Sequence, residues 1–128
     1  MPSRNWMFRI QDILDAIEVT TKYIEGMTFD EFAGDQRTVD AVVRRLTIIG
    51  EASSHIPDSV SKENSDIPWN EMRAMRNFVV HEYFGVSEDI LWNTIQIDLQ
   101  SVIEPLRKLQ EKYSTISLAG DMSVISGN

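Results

Sequence analysis

The spacing of the apolar residues constrains the fold most, because it follows the period of an α-helix along most of the chain. Near the N-terminus, Ile10, Ile13, Leu14 and Ile17 fall on one helical face. The same pattern predicts longer helices at about residues 5–25, 36–55, 69–83 and 88–113, with short helical turns near 28–32 and within 56–68. We therefore expect an all-α fold, an antiparallel bundle of four to five helices.

Glycine, serine and proline mark the ends of these helices. Gly26 is suited to end the first helix, and Ser87 is suited to the N-cap of the last. Pro105 should kink that last helix, because proline cannot donate a backbone hydrogen bond. After Tyr113 the sequence has little charge and no clear period. We therefore predict one helical domain over residues 1–113 and a flexible C-terminal tail over 114–128.

The composition excludes several classes of protein. A chain of 128 residues without cysteine is long enough for one core and cannot form zinc fingers or use thiol chemistry. It has no membrane-spanning run and no signal-peptide pattern, so we expect a cytoplasmic protein. The net charge of −8 argues against a protein that coats nucleic acid nonspecifically. Residues 11–35, with seven acids and one base, carry much of that charge.

The stretch "AMRNFVVHEYFGV", residues 74–86, concentrates polar residues that could form a site: Arg76, Asn77, His81 and Tyr83. On a straight α-helix Arg76 shares a stripe with Tyr83, whereas Arg76 and His81 point about 140° apart. They could meet in one pocket only if the helix end distorts or if a second copy of the chain brings its own motif alongside. A two-fold dimer would pool both sets of side chains in one cleft.

These residue types suit metal-independent cleavage of RNA. A histidine near neutrality can take a proton from a 2′-hydroxyl, which then attacks the adjacent phosphate. An arginine can hold the phosphate and stabilise the developing charge, and an asparagine can orient either group. The sequence shows no cluster of metal ligands. We therefore expect no metal and no cofactor.

The same residues have simpler explanations. A polar helix end, with a histidine favoured by the helix dipole, accounts for His81, and Tyr83 could pack its ring and form a local hydrogen bond. His55 lies at a predicted helix end and is assigned to capping or to the surface. Glu51, in "IIGEASSH", is expected to be a structural ion-pair partner for an arginine rather than a catalytic acid.

A wider resemblance favours the functional explanation. "MRNFVVHEYFGV" resembles the signature of the HepT-like branch of the HEPN family: arginine, a polar residue, three further residues, histidine, one residue and tyrosine. Four further segments resemble the corresponding family segments in the same order: "FRIQDILDAIEVTTKYIEGMTFDEF", "RTVDAVVRRLTIIGEASSHIP", "IPWNEMRAMRN" and "SEDILWNTIQIDL". The similarity covers about residues 6–110.

The resemblance implies a HEPN-like helical toxin of a type VII-like toxin–antitoxin system. Such a toxin is a homodimeric, metal-independent ribonuclease that dimerises through the motif-bearing helix. It implies Arg76, Asn77 and His81 as the catalytic residues. It also implies a minimal nucleotidyltransferase of the MntA type as the antitoxin, which transfers AMP to Tyr83. The family also includes silent members, so a helical subunit that only binds nucleotide or RNA beside a nucleotidyltransferase is the alternative.

Overall fold

The protein is helical throughout the part of the chain that the structure describes. The computed structural model describes residues 5–78 and 87–126, with side chains as far as residue 114. In chain order the helices are α1 Trp6–Tyr23, α2 Phe29–Ala33, α3 Gln36–Ser54, α4 Asp58–Glu63, α5 Trp69–Ala74, α6 Glu88–Asn93 and α7 Leu99–Ser126. A 3₁₀ turn, Met75–Asn77, follows α5, and a π-helical segment, Thr94–Asp98, joins α6 to α7. The described residues contain no strand, so the all-α prediction is confirmed.

Helix α1 lies between α3 and α7 and runs antiparallel to both. The Tyr23 ring at the end of α1 lies 6.0 Å from the Arg45 guanidinium, and Arg9 near its start interacts electrostatically with Glu51. On the other side, Thr21 bonds to Gln100, and Gln11 bonds to Gln110 at the opposite end of α1. The three helices therefore form the antiparallel centre of the bundle that the apolar spacing predicted.

One apolar core holds the bundle together. Its fully buried side chains come from α1, α2, α3, α5, α6, the π-helical segment and α7: Ile10, Ile13, Ile17, Phe32, Val42, Leu46, Ile49, Met72, Leu91, Ile95, Leu99 and Leu106. The short helix α2 is anchored through Phe32, whose ring packs against Trp92 at 5.4 Å between centroids. A capping box between Thr28 and Glu31 starts α2.

The helix starts and turns agree with the sequence at several points. Gly26 adopts a φ of +78° directly after α1, a left-handed conformation that glycine takes without strain. Ser87 occupies the N-cap position of α6 in an extended conformation, although its side chain makes no capping hydrogen bond. The helical turn expected within 56–68 is α4.

Two predictions about helix ends were wrong. The third helix was expected to continue as an α-helix from Trp69 to about Tyr83, but α5 gives way to the 3₁₀ turn at Met75. The last helix was expected to end near Tyr113, but α7 continues to Ser126. The apolar residues beyond Tyr113 have no strict period, and the α7 backbone hydrogen bonds do not require one. Within the described ranges, no helix has the length and apolar character needed to cross a membrane.

Candidate functional site

Arg76 and Asn77 lie on the 3₁₀ turn that follows α5. Met75, the first residue of the turn, is buried at 6 % exposure and anchors it in the core. The next two side chains, Arg76 and Asn77, are consequently directed outward and are exposed. His81 and Tyr83 lie outside the described residues. A distorted helix end was one of two arrangements considered for the motif; the α-helix gives way to a 3₁₀ turn at Met75, and the stretch before Gly85 lies outside the described residues.

A glycine in α3 allows this turn to sit against the helix. A Cβ atom added at Gly50 would lie 2.2 Å from the Arg76 backbone nitrogen and 2.8 Å from its Cα. These contacts are with backbone, which cannot move aside as a flexible side chain would. Gly50 therefore fixes how closely α3 approaches Arg76. The sequence offered a signal for it, because a glycine inside a helical pattern often marks close packing.

Glu51, the next residue of α3, contacts both Arg76 and His55, the histidine that lies outside the motif. Its Oε2 atom lies 3.8 Å from Arg76 Nη2, and its Oε1 atom lies 3.0 Å from His55 Nε2. Both ion-pair side chains are 52 % exposed, so the pair is accessible to a ligand. The sequence correctly indicated an arginine partner for Glu51, but it did not indicate that this partner is the motif residue Arg76.

The surrounding groups keep Glu51 ionised. The hydrogen bond from His55 is the main reason why the pKa of Glu51 lies below its ordinary value, and the positive charges of Arg76, His55 and Arg9 add to that effect. Partial desolvation of the carboxyl opposes these influences but does not cancel them. His55 is also the C-cap residue of α3 and is exposed, which agrees with its assignment to capping or to the surface.

The neighbouring arginine, Arg73, has a different environment. It is half-buried, and its Nε atom donates to the Ser53 carbonyl oxygen at 3.4 Å. Its Nη1 atom lies 3.5 Å from the Asn70 side-chain oxygen. Arg73 therefore ties α5 to the end of α3. Of the two arginines on this segment, Arg76 is the more exposed.

An apolar groove of about 410 Å³ lies beside the 3₁₀ turn. Met75 and Phe78 line one side, and Leu99 and Val102 of α7 line the other. Met72 and Met75 are buried within the chain's own core, while Trp92 packs against Phe29 and Phe32.

The fold and this site define a helical bundle that holds an arginine at its surface through a glycine contact and a carboxylate. The model of the family described as "Ribonuclease HepT-like" matches residues 13–109. The chain therefore belongs to the HepT-like ribonuclease family. No solved structure matches the chain significantly.

Relatives with curated names agree with this assignment. A protein named probable ribonuclease HepT, from Thermococcus cleftensis, is 39% identical over 102 residues, which cover 80% of this chain and 93% of the relative. A protein provisionally named an RNase, from Methanocaldococcus jannaschii, is 31% identical over 86% of this chain and 94% of its own length. Another, from Caldanaerobacter subterraneus, is 33% identical over 80% of this chain and 92% of its own.

Replacing Gly50 with alanine should destabilise the protein. The added methyl group must push the Arg76 backbone away from α3, and overpacking of this kind costs about 1–3 kcal/mol of unfolding free energy. Urea denaturation of Gly50→Ala against the natural chain measures the loss. Gly34→Ala is the matched control, since its Cβ would approach only one carbonyl oxygen within 3.4 Å, at 3.3 Å. Equal losses in the two variants would contradict the proposed backbone contact.

The pKa of Glu51 should respond more to His55 than to Arg76. Because the His55 hydrogen bond is its largest influence, His55→Ala should bring the Glu51 pKa nearer to its ordinary value than Arg76→Ala does. Carbon-13 NMR titration of the Glu51 carboxyl measures its pKa in each of the two variants. A lowered pKa favours folding above the ordinary pKa of the carboxyl, and that contribution is lost as the pH falls through the lowered value. A larger change in Arg76→Ala would disprove this order of causes.

Proposed function

We propose that this protein is a metal-independent endoribonuclease whose site combines Arg76, Asn77 and His81. The observation that carries the proposal is the exposed Arg76 guanidinium, held on a fixed turn by Gly50 and Glu51 in a chain of the HepT-like ribonuclease family. A guanidinium in this setting is preorganised for a phosphate, because its backbone is immobilised and one face of it is already paired.

The proposed reaction uses the RNA as its own nucleophile. His81 takes the proton from a 2′-hydroxyl, and the 2′-oxygen forms a bond to the adjacent phosphorus. The bond from phosphorus to the 5′-oxygen breaks, and that oxygen takes up a proton from water. The products are a 2′,3′-cyclic phosphate and a 5′-hydroxyl end. Arg76 stabilises the added negative charge on the phosphoryl oxygens, and Asn77 orients the phosphate or the imidazole.

We further propose that the site is completed in a homodimer. The apolar groove beside Met75 and Phe78 supports this, because it borders the motif turn and offers a surface that a second copy could cover. If the 3₁₀ turns of two copies lay near a two-fold axis, Arg76 of one chain would lie beside His81 of the other. That arrangement resolves the divergence of the two side chains on a single helix.

In the cell, the protein would act as the toxin of a toxin–antitoxin pair. We propose a minimal nucleotidyltransferase as its antitoxin, with AMP transfer to Tyr83 as the means of neutralisation. The proposal is supported by the resemblance of "MRNFVVHEYFGV" to the family signature. An AMP group on Tyr83 would add a negative charge and a bulky adenosine next to the phosphate-binding arginine, which would exclude RNA.

The purified protein should cleave single-stranded RNA in the presence of EDTA. Arg76→Ala and His81→Ala should each reduce the cleavage rate by about 100-fold or more, the usual loss when a transition-state stabiliser or a proton-transfer group is removed. Cleavage of a labelled RNA on a denaturing gel measures the rate. Arg107→Ala, which removes an exposed arginine from α7, should leave it unchanged.

Two outcomes would decide against this proposal. If the natural chain leaves RNA intact in EDTA and does not slow growth when expressed alone, it is a binding subunit rather than a ribonuclease. If it is active but mixing inactive Arg76→Ala and His81→Ala chains restores no activity, the site lies within one chain and the composite arrangement is wrong.

Co-expression with the cognate nucleotidyltransferase should add one or more AMP groups to the protein, located at Tyr83. Tyr83→Phe should retain ribonuclease activity but escape the modification, because it lacks the hydroxyl that accepts the AMP. Intact-mass spectrometry followed by peptide mapping measures this. A Tyr83→Phe chain that is still modified and silenced would disprove the role of Tyr83 without affecting the assignment as a ribonuclease.

A further inference from the structure

The outer face of α3 carries exposed charged residues, three basic and one acidic, that continue away from Arg76. Arg37, Arg44, Glu51 and His55 are separated by seven, seven and four positions, so at 100° per residue they stay within about 40° of one another. All four are exposed. We call this set the α3 stripe. It lies opposite the buried face of the helix, which carries Val42, Leu46 and Ile49.

One end of the α3 stripe is part of the site described above. Glu51 contacts both Arg76 and His55 there. From Glu51 the stripe runs towards the start of α3, passing Arg44 and ending at Arg37. At 1.5 Å per residue, the fourteen positions from Glu51 to Arg37 span about 21 Å. That length corresponds to about six nucleotides of a stacked single strand at 3.4 Å each.

The two arginines of the stripe are available to a ligand. Neither forms an ion pair with a carboxylate of the described residues. Asp40, one turn before Arg44, instead accepts a hydrogen bond from Gln36 at 2.8 Å. Asp35 is occupied as the N-cap of α3 through Thr38. The charge and the backbone N–H of Arg37 also lower the pKa of Asp35, but less than Thr38 does. Arg37 and Arg44 are therefore exposed and form no ion pair with the described carboxylates, with Asp35 and Asp40 as the nearest acids along the helix.

Two acids of α1 lie on another surface. Asp15 and Glu18 line the groove between α1 and α7, and Glu18 pairs there with Lys22. An anionic strand on α3 would thus be kept apart from these carboxylates. In a protein with a net charge of −8, an exposed basic surface that ends at the phosphate-binding arginine complements a polyanion.

We propose that the α3 stripe is an RNA-binding surface, on which Arg44 and Arg37 hold the phosphates of the strand that extends from the cleavage site at Arg76. This inference rests on the proposed ribonuclease function and deepens it, because it assigns single-stranded RNA of more than about six nucleotides as the preferred substrate. Contacts of this kind recognise the backbone and carry no base sequence.

The test measures binding of uncleavable 2′-O-methyl RNA, in which the attacking hydroxyl is blocked, as a 20-mer and as a 4-mer. The double variant Arg37→Ala/Arg44→Ala should weaken binding of the 20-mer. It should also make the dependence of log K on log salt shallower by about 1.4, or 0.7 for each lost phosphate contact. Binding of the 4-mer should weaken less, with a change in slope of at most about 0.7, because its length of about 14 Å reaches Arg44, about 11 Å along α3 from Glu51, but not Arg37.

The matched control is Arg107→Ala/Lys108→Ala, which removes the same charge from exposed positions on α7. This control should leave the binding of both RNA probes unchanged.

Equal weakening by the two double variants would show a general charge effect and overturn the proposal. A dimer that dissociates in sedimentation of Arg37→Ala/Arg44→Ala, with 20-mer binding per chain unchanged, would show that the stripe contacts a second copy instead. Failure of the natural chain to bind either probe would overturn the ribonuclease proposal as well, whereas binding with an unchanged salt dependence would overturn this surface alone.

Discussion

The close approach of the Gly50 and Arg76 backbones is the contact on which the rest of the site depends. It places the 3₁₀ turn directly on α3, and this brings the Arg76 side chain within reach of Glu51, the residue after the glycine. The exposed ion pair contributes little to stability by itself, since both side chains are well solvated. The position of the Arg76 backbone is therefore determined by its packing against the backbone of Gly50. The Glu51 carboxylate only orients the Arg76 guanidinium at the surface.

The 3₁₀ turn Met75–Asn77 is fixed by contacts with the core and with α3. These contacts explain how its polar residues remain exposed at a fixed position. Met75 inserts into the core from the turn, and Arg73 ties the preceding helix to the Ser53 carbonyl oxygen. Ser53 is itself buried and donates its hydroxyl to Ile49. The end of α3 thus supplies a glycine, a carboxylate and a carbonyl oxygen to one partner segment within four consecutive residues. Under the proposed function, a guanidinium held this way would lose little conformational entropy on binding a phosphate.

Most of the fold could be predicted from the sequence, because the helices are amphipathic and the caps are local. The bounds of α1 and α3, the capping residues around Thr28 and Gly26, and the apolar stripes all follow from short-range patterns. The 3₁₀ turn at Met75 and the π-helical segment at Thr94–Asp98 do not, since tertiary packing decides them. For the site, the motif identified Arg76 and Asn77, but the contact of Glu51 with Arg76 needs α3 and α5 to be placed in three dimensions.

The distribution of acids and bases explains how an acidic protein can present a site for an anion. Several acids serve helix starts, where the dipole and the free backbone N–H groups favour them: Glu31 in the capping box of α2 and Asp35 at the start of α3. For both, the hydrogen bonds received from these caps hold the carboxyl pKa below its ordinary value. Asp15 and Glu18 face the α1–α7 groove instead. Part of the negative charge thus lies at helix starts and on one face of α1, while Arg37 and Arg44 on the outer face of α3 form no ion pair among the described residues. Net charge describes solubility and long-range repulsion, but the local field at Arg76 depends on which carboxylates lie within about one Debye length of it.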